Sequence, residues 1–438
     1  MVGATAVSLL CATTTVITLS APAAGASGLN TTGPPCATPP PVTTAEADST
    51  VGITSNSVTV GNISILSGPV PGLFQGAPYG VEAYFDYINS KGGVNGRQLK
   101  VDSYDDAFSG QSNESETTTA VGKDFALVGN FSLFDSYGCK VLAANPAVAD
   151  VSVTLDPGTN ALPTDFSAQP LSQGAPEGPY IYLKKKYPKA IKSVGNLVSN
   201  TATAIANWQG QEAVMEHLGY HISYVRDISP VETDFTTDVI NMRNDHVQFV
   251  YLTDLDWQVA AGLVQAMNQQ NFHPQVLFSA GPAYADQYIA AAGGPSATNG
   301  LWLGQGTSLY LGEDAKVIPA VSTFLTWVKK DHPGFTPDLY TLYGWASAQL
   351  FVQALQAAGK NPTRGELLSQ LQKITSFSAS NLIGSSNPAK KLPPNCYIMA
   401  KIVNGKYQRV DDPPNGGYRC DAPYYSINGT LPEVNPSS

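Results

Sequence analysis

The chain has 438 residues, enough for two or three domains; only 13% are charged, and the formal net charge is −10. That balance excludes nucleic acid and an acidic membrane surface as partners, since both demand a basic face. In chain order, residues 4–19 are small and apolar. Residues 20–27 (SAPAAGAS) then place Ala24-Gly25-Ala26 before Ser27, which predicts an export signal over 1–26, although a basic start is missing. Residues 30–49 are rich in Thr, Pro and Ala and lack apolar periodicity, so 27–50 is predicted to be a flexible linker. Short apolar runs then alternate with helical patterns. Strands are predicted at 58–66, 98–104, 125–129, 149–153, 193–198, 222–226, 249–252, 276–278 and 301–303. Helices are predicted at 78–90, 111–122, 136–144, 174–187, 203–218, 235–244, 256–269 and 284–291. This alternation implies parallel sheets covered by helices on both faces, an α/β fold. The stretch PLSQGAPEGP over 170–179 is dense in Pro and Gly and reads as a crossing between lobes. Further helices are predicted at 318–331, 339–358 and 364–373, the last after the helix start Asn361-Pro362-Thr363.

Near the end of the chain, Asn404-Gly405 turns a hairpin over 397–410. With Cys11 lost in the leader, Cys36, Cys139, Cys396 and Cys420 remain, and three connectivities are open. An oxidising compartment favours disulfides. Cys396 and Cys420 flank the hairpin and are paired on that ground, which leaves Cys36 for Cys139. Zinc binding is the weaker alternative, for want of a CxxC pair or a nearby histidine. Neither Cys11 nor Cys36 follows the small-residue pattern of a lipid-anchored leader.

Few residues suggest catalysis. Asp105-Asp106 is an acid pair, but neighbouring strand residues face opposite ways, so the pair reads as loop caps. His217 and His221 lie four apart, yet Gly219 and Tyr220 end the helix between them. GxSxG, HExxH and P-loop patterns are missing. The chain is therefore read as a non-enzyme, with no metal and no cofactor.

The most specific wording is YINSKGGVNGRQLKVDSYDDA over 87–107: a helix end, glycine turns at Gly92-Gly93 and Asn95-Gly96, then a strand running into Asp105-Asp106. Two further stretches keep company with it, ISILSGPVPGLFQG over 63–76 and YTLYGWASAQLFVQALQAAG over 340–359. An ordinary helix–turn–strand unit would account for the glycines alone. The three stretches in this order resemble the solute-binding receptors of ABC transporters, in the group like the leucine/isoleucine/valine-binding protein. The resemblance runs over roughly 51–373.

The resemblance implies two Rossmann-like lobes with parallel sheets, joined by a three-crossing hinge, the type I periplasmic-binding fold. The lobes would be 51–171 with 305–377, and 172–304 with 378–438, the second carrying the C-terminal disulfide hairpin. It implies an extracytoplasmic, monomeric receptor that closes on a small amino-acid-like, amide or organic-acid solute and delivers it to the membrane subunits of an ABC permease. The alternative is a sensing module that passes occupancy to a signalling partner. Ligands of open α/β sheets sit beyond the carboxyl ends of the strands. By position in the family, Ser132 and Thr154 would hold a ligand carboxylate with hydroxyls, Leu133 with its backbone, and Phe74 would cover the ligand. Ser67, Asn200 and Gly281 sit on the neighbouring loops. The family's ammonium-binding acid is missing from Ala280-Gly281-Pro282-Ala283, and Asp254 and Asp256 on the next loop are its possible replacements. An unpaired buried ammonium is costly, so a solute lacking the α-ammonium is expected.

Overall fold

The computed structural model describes Met1 and residues 34–430, apart from 172, 253 and 254. The rest of the expected leader, the start of the expected linker and Asp254 lie outside the described residues. The chain first lays down a parallel sheet of β1 (Ser57–Ser64), β2 (Gln98–Asp105), β3 (Leu127–Val128) and β4 (Asp150–Val151), in the order β2-β1-β3-β4. After β5 (Gly174–Pro176) it builds a second sheet. That sheet holds β6 (Val194–Ser199), β7 (Ile222–Ile228), β8 (Phe249–Tyr251), β9 (Val276–Ser279) and β10 (Trp302–Gln305) in parallel, with β11 (Ile398–Val403) and β12 (Lys406–Arg409) added antiparallel at one edge. The full order is β12-β11-β10-β9-β8-β6-β7. Every residue of β6 is buried, as a strand covered on both faces requires. Apart from the helix expected at 174–187, the predicted strands and helices recur with their ends moved by at most two residues.

Helix Leu339–Ala357 returns to the first sheet and crosses helix Gly76–Asn89 at close range. Two glycines permit this. A Cβ on Gly80 would lie 2.0 Å from the Thr341 carbonyl oxygen, and one on Gly344 would lie 2.0 Å from that of Ala77. The crossing brings the start of each helix, Phe74 and Tyr340, to within 4.5 Å between ring centroids.

The chain passes between the two sheets three times, and the three crossings are bonded to each other. The Gly306 carbonyl accepts from Gln169 Nε2 at 3.0 Å and from the Gly384 N–H at 2.7 Å. Ser308 N–H donates to the Leu382 carbonyl at 2.8 Å, and Ser386 Oγ donates to the Ala168 carbonyl at 2.6 Å.

Three departures from the sequence reading have physical causes. The expected helix 174–187 starts only at Gly178. Gly174–Pro176 is instead a strand, pairing Gly174 with Ser426 and Pro176 with Tyr424 of β13 (Tyr424–Ser426), which also pairs with β14 (Gly429–Thr430). Pro176 suits an edge and Pro179 the first helical turn. The C-terminal hairpin is no appendage, because β11 pairs with β10 from Trp302–Lys401 to Gln305–Ile398. And the stretch expected as a free linker is fastened over its described part. Cys36 bonds Cys139, and Thr43 and Glu46 form a reciprocal helix cap around Thr44–Ala47. The Ser49 carbonyl then accepts from Arg364 N–H at 3.0 Å.

Both paired cysteine sets have formed, Cys36–Cys139 with Cα atoms 5.3 Å apart and Cys396–Cys420 at 4.2 Å. Cys139 is fully buried, so Cys36 is the safer residue to remove. Cys36→Ala should lower unfolding stability by about 2–5 kcal/mol. Hydrogen exchange should speed up in 34–50 and little elsewhere. Unchanged exchange in 34–50 would show that packing alone holds the segment.

Candidate ligand-binding site

The loops beyond the carboxyl ends of both sheets face one another across the hinge. In the first lobe two neighbouring acids fasten them. Leu66 and Ser67 N–H groups donate to Asp105 Oδ1 at 3.0 and 3.1 Å, and the Ser67 hydroxyl donates to Asp105 Oδ2. Burial pushes the Asp105 carboxyl up, but Ser67 and three backbone N–H groups outweigh it and hold the group below its ordinary value. Asp106 turns the other way. It accepts from Ser132 Oγ at 2.5 Å, Asn113 Nδ2 at 3.1 Å and Phe108 N–H at 3.1 Å, and burial raises its carboxyl. The acid pair is thus a double staple, one carboxylate for the loop leading to Phe74 and the other for the loop carrying Phe131 and Leu133.

Those loops enclose a cavity of about 260 Å3 between the lobes. Its first-lobe wall is aromatic and aliphatic. Phe131 lies 4.8 Å from both Phe74 and Tyr340, ring centroid to centroid, and 6.0 Å from Tyr343. Each such pair is worth about 0.5–1.5 kcal/mol beyond its buried area. Leu73, Val153, Leu155 and Leu339 fill the gaps. The second lobe contributes Leu255, Val259 and Pro282, with Tyr251 and Phe278 stacked at 5.1 Å behind. The hinge supplies the floor through Gln169, Gly304, Gln305 and Gly306. Pro393, Pro394, Cys396 and Tyr424 close the remaining side, so the C-terminal segment is part of the cavity wall. The lobes touch at both lips: Thr203 Oγ1 donates to the Leu133 carbonyl at 3.4 Å, and Gly281 lies against Leu339.

Charged side chains in the lining are few. Among its described residues there is no lysine, arginine or histidine, and the carboxylate there is Asp256. Asp256 caps helix Trp257–Gln269, accepting from Gln258 N–H at 3.3 Å. Burial pushes its carboxyl up to about 7, against its backbone hydrogen bonds and with some help from the Asp338 charge. Asp338, capping the helix that carries Tyr340, is pushed up by burial to about 6.

The structure sorts the sequence candidates. Phe74 and Leu133 line the cavity. Ser132 and Thr154, expected to present hydroxyls to a carboxylate, are outside the lining. Ser132 Oγ is spent on Asp106, and Thr154 Oγ1 donates to the buried Asp165 at 2.6 Å. Ser67 is spent on Asp105. Asn200 lines an adjoining recess of about 250 Å3 that shares Leu133 and Pro230 with the main cavity. Gly281 is flanked by the lining residues Ala280 and Pro282 without lining the cavity itself. Sequence reasoning missed Phe131, Tyr340, Tyr343, Gln211, Gln305 and the C-terminal wall. Tyr340 and Tyr343 stood in plain view at the head of a recognised helix. The C-terminal wall had no local signal.

The chain matches the model of a family described as periplasmic binding protein over residues 57–406. It is 27% identical over 287 residues to an amino acid binding protein of Pseudomonas aeruginosa, covering 63% of this chain and 71% of that one. It is 24% identical over 347 residues to Leu/Ile/Val-binding protein homolog 1 of Brucella suis, covering 76% and 87%. Among solved structures, a fatty acid ABC transporter substrate-binding protein from Thermomonospora curvata superimposes with a TM-score of 0.70 at 19% identity, over 82% of this chain and 92% of that one. The branched-chain amino acid transporter substrate-binding protein LivJ of Streptococcus pneumoniae, in complex with isoleucine, gives 0.64 at 18% identity, over 81% and 99%. At these identities the structural likeness shows the fold.

The raised cleft carboxyls make a pH prediction. A carboxyl whose folded value is raised keeps its proton where the unfolded chain has released it. Its stabilising contribution is complete below the unfolded carboxyl value and is lost as pH rises through the folded one. For Asp256 and Asp338 that window runs from about 4 to about 7. The melting temperature should therefore fall between about pH 5 and about pH 7.5. Asp256→Asn, which keeps a capping side chain, should flatten the fall. An identical slope in the variant would show that the Asp256 carboxyl is not raised in the folded protein.

Proposed function

The chain belongs to the periplasmic binding protein family, and on that premise we propose that it is the extracytoplasmic receptor of an ABC importer, closing on a small, largely apolar solute. The observation that carries this reading is the shared cavity. It lies at the carboxyl ends of both sheets, takes its walls from both lobes and has the first two of the three bonded crossings as its floor. At about 260 Å3 it is near the lower end of small-molecule sites, which run from about 300 to 1,000 Å3. Lobes taken as 51–171 with 305–377, and 172–304 with 378–438, would swing about that floor. Ligand contacts made with both lobes at once supply the free energy that favours the closed form, and a permease recognises that form. Two disulfides suit an exported protein in an oxidising compartment.

The sequence relatives are named for amino acids and one structural neighbour for a fatty acid, but the cavity of this chain supports a different solute. Ser132 and Thr154 have no hydroxyl hydrogen left for a carboxylate. The loop Ala280-Gly281-Pro282-Ala283 carries no acid for an ammonium. Among the described lining residues Asp256 is the remaining candidate for that role, and a zwitterion pairing with it would leave its carboxylate without a cation.

Two measurements test the proposal. Native mass spectrometry of the purified protein should detect a bound small molecule. Small-angle scattering before and after its removal should show a larger radius of gyration for the stripped protein, and an unchanged radius at full occupancy would contradict closure. Calorimetry with leucine, isoleucine and valine should give weak or no binding. Sub-micromolar leucine binding that survives Asp254→Ala and Asp256→Ala would overturn the apolar-solute reading.

A further inference from the structure

The cavity wall carries a small set of polar atoms with no hydrogen-bond partner in the protein. They are Ser199 Oγ at the end of β6, Gln211 Oε1 on helix Ala202–His217, and Gln305 Oε1 at the end of β10. All three residues line the cavity, and they are 6%, 6% and 4% exposed. Gln305 is held from its other end, Nε2 donating to the Ser308 carbonyl at 3.5 Å, which turns its oxygen free. Buried acceptors without donors are unusual in native proteins and ask for a partner. These three sit on the second lobe and the hinge, opposite the aromatic wall of Phe74, Phe131 and Tyr340.

Charge adds a second constraint. A carboxylate or phosphate in this cavity would meet no cationic side chain among the described lining residues. It would also meet Asp256 in the wall and Asp338 one residue before the wall residue Leu339. Each of these acids caps the helix N-terminus that could otherwise have held an anion. An ammonium would find Asp256 and the same free acceptors, but burial raises that carboxyl to about 7, so near neutral pH its charge would be only partly balanced after leaving water.

We propose that the solute is an uncharged molecule with an apolar body and a hydrogen-bond-donating end, an alcohol, phenol or carboxamide. Its body fills the aromatic and aliphatic first-lobe wall; the two N–H groups of a carboxamide donate to Gln211 Oε1 and Gln305 Oε1 while its carbonyl accepts from the Ser199 hydroxyl, and an alcohol or phenol donates its one O–H to either glutamine. The assignment rests on the receptor reading above and adds the charge and the polar end of the ligand.

The test uses the full purified protein and two skeletons, each with four head groups. The branched set is 4-methylpentanamide, 4-methylpentan-1-ol, 4-methylpentanoate and 4-methylpentylammonium. The aromatic set is phenylacetamide, 2-phenylethanol, phenylacetate and 2-phenylethylammonium. Calorimetry should show the amide or alcohol of at least one skeleton binding about tenfold or more tighter than its carboxylate and its ammonium. Gln211→Leu and Gln305→Leu should each weaken the amide about tenfold while the unliganded melting temperature holds. Gln305→Met serves if the leucine variant at that central strand fails to fold. A carboxylate or ammonium that binds as tightly as its amide, or glutamine variants that leave amide affinity unchanged, overturns the assignment and leaves the receptor reading standing. Silence from all eight compounds also overturns it. Compaction in scattering on addition of any charged solute would then show that the receptor reading survives on its own. A protein that compacts with nothing and carries no bound molecule as purified would sink the receptor reading itself.

Discussion

Everything in this molecule turns on how the three crossings are tied together. The Gly306 carbonyl is the knot: it accepts from the first crossing through Gln169 and from the third through Gly384. Ser386 then reaches back from the third crossing to Ala168 in the first. These bonds keep the three segments side by side, so a bend in one is a bend in all. On the receptor reading the lobes would rotate about a common line without losing their pairing. The first two of these segments are the cavity floor, so on the receptor reading a ligand resting there touches the part of the chain about which closure would occur.

The walls follow from a second economy, in which acids near the cleft are used as fasteners. Asp105 and Asp106 staple two first-lobe loops, Asp165 holds Thr154, and Asp256 and Asp338 cap two helices. Each carboxylate so employed consumes hydroxyls or N–H groups that an anionic ligand would need. The surfaces left to face the ligand are rings and aliphatic side chains on the first lobe, and uncharged polar groups such as Ser199, Gln211 and Gln305 among the apolar residues of the second lobe and hinge. Burying apolar surface yields about 25 cal/mol per Å2, while stranding an unpaired charge there costs several kcal/mol. For a ligand burying about 200 Å2 the two are of similar size, so on the proposed reading exclusion of charge weighs on selectivity as heavily as apolar burial.

Much of the frame was legible in the sequence because it obeys local rules. The glycine turns at Gly92-Gly93 and Asn95-Gly96 and the apolar runs of β1, β6 and β8 are short-range signals, and all are where the sequence implies. Asn404-Gly405 turns its hairpin with both residues at positive φ, as predicted. The misses share a cause. Which way Ser132 and Thr154 point depends on Asp106 and Asp165, residues that periodicity does not place near them. β5 is three residues long and exists only because Tyr424–Ser426 comes to it from the far end of the chain. The segment at 34–50 looked like a linker by composition, yet Thr43 and Glu46 stand at capping-box spacing, a local signal that its Thr and Pro content obscured.

The central claim is that the ligand lies between the lobes, against the aromatic wall and on the crossing segments. The most direct measurement is a crystal structure of the protein carrying the molecule with which it purifies. The account predicts density packed between Phe74, Phe131 and Tyr340 on one side and Leu255 and Val259 on the other, with its polar end at Gln211, Gln305 or Ser199. Density bound outside this cavity, or a ligand inside it whose charged group is held by Ser132 and Thr154 after they release Asp106 and Asp165, would contradict it.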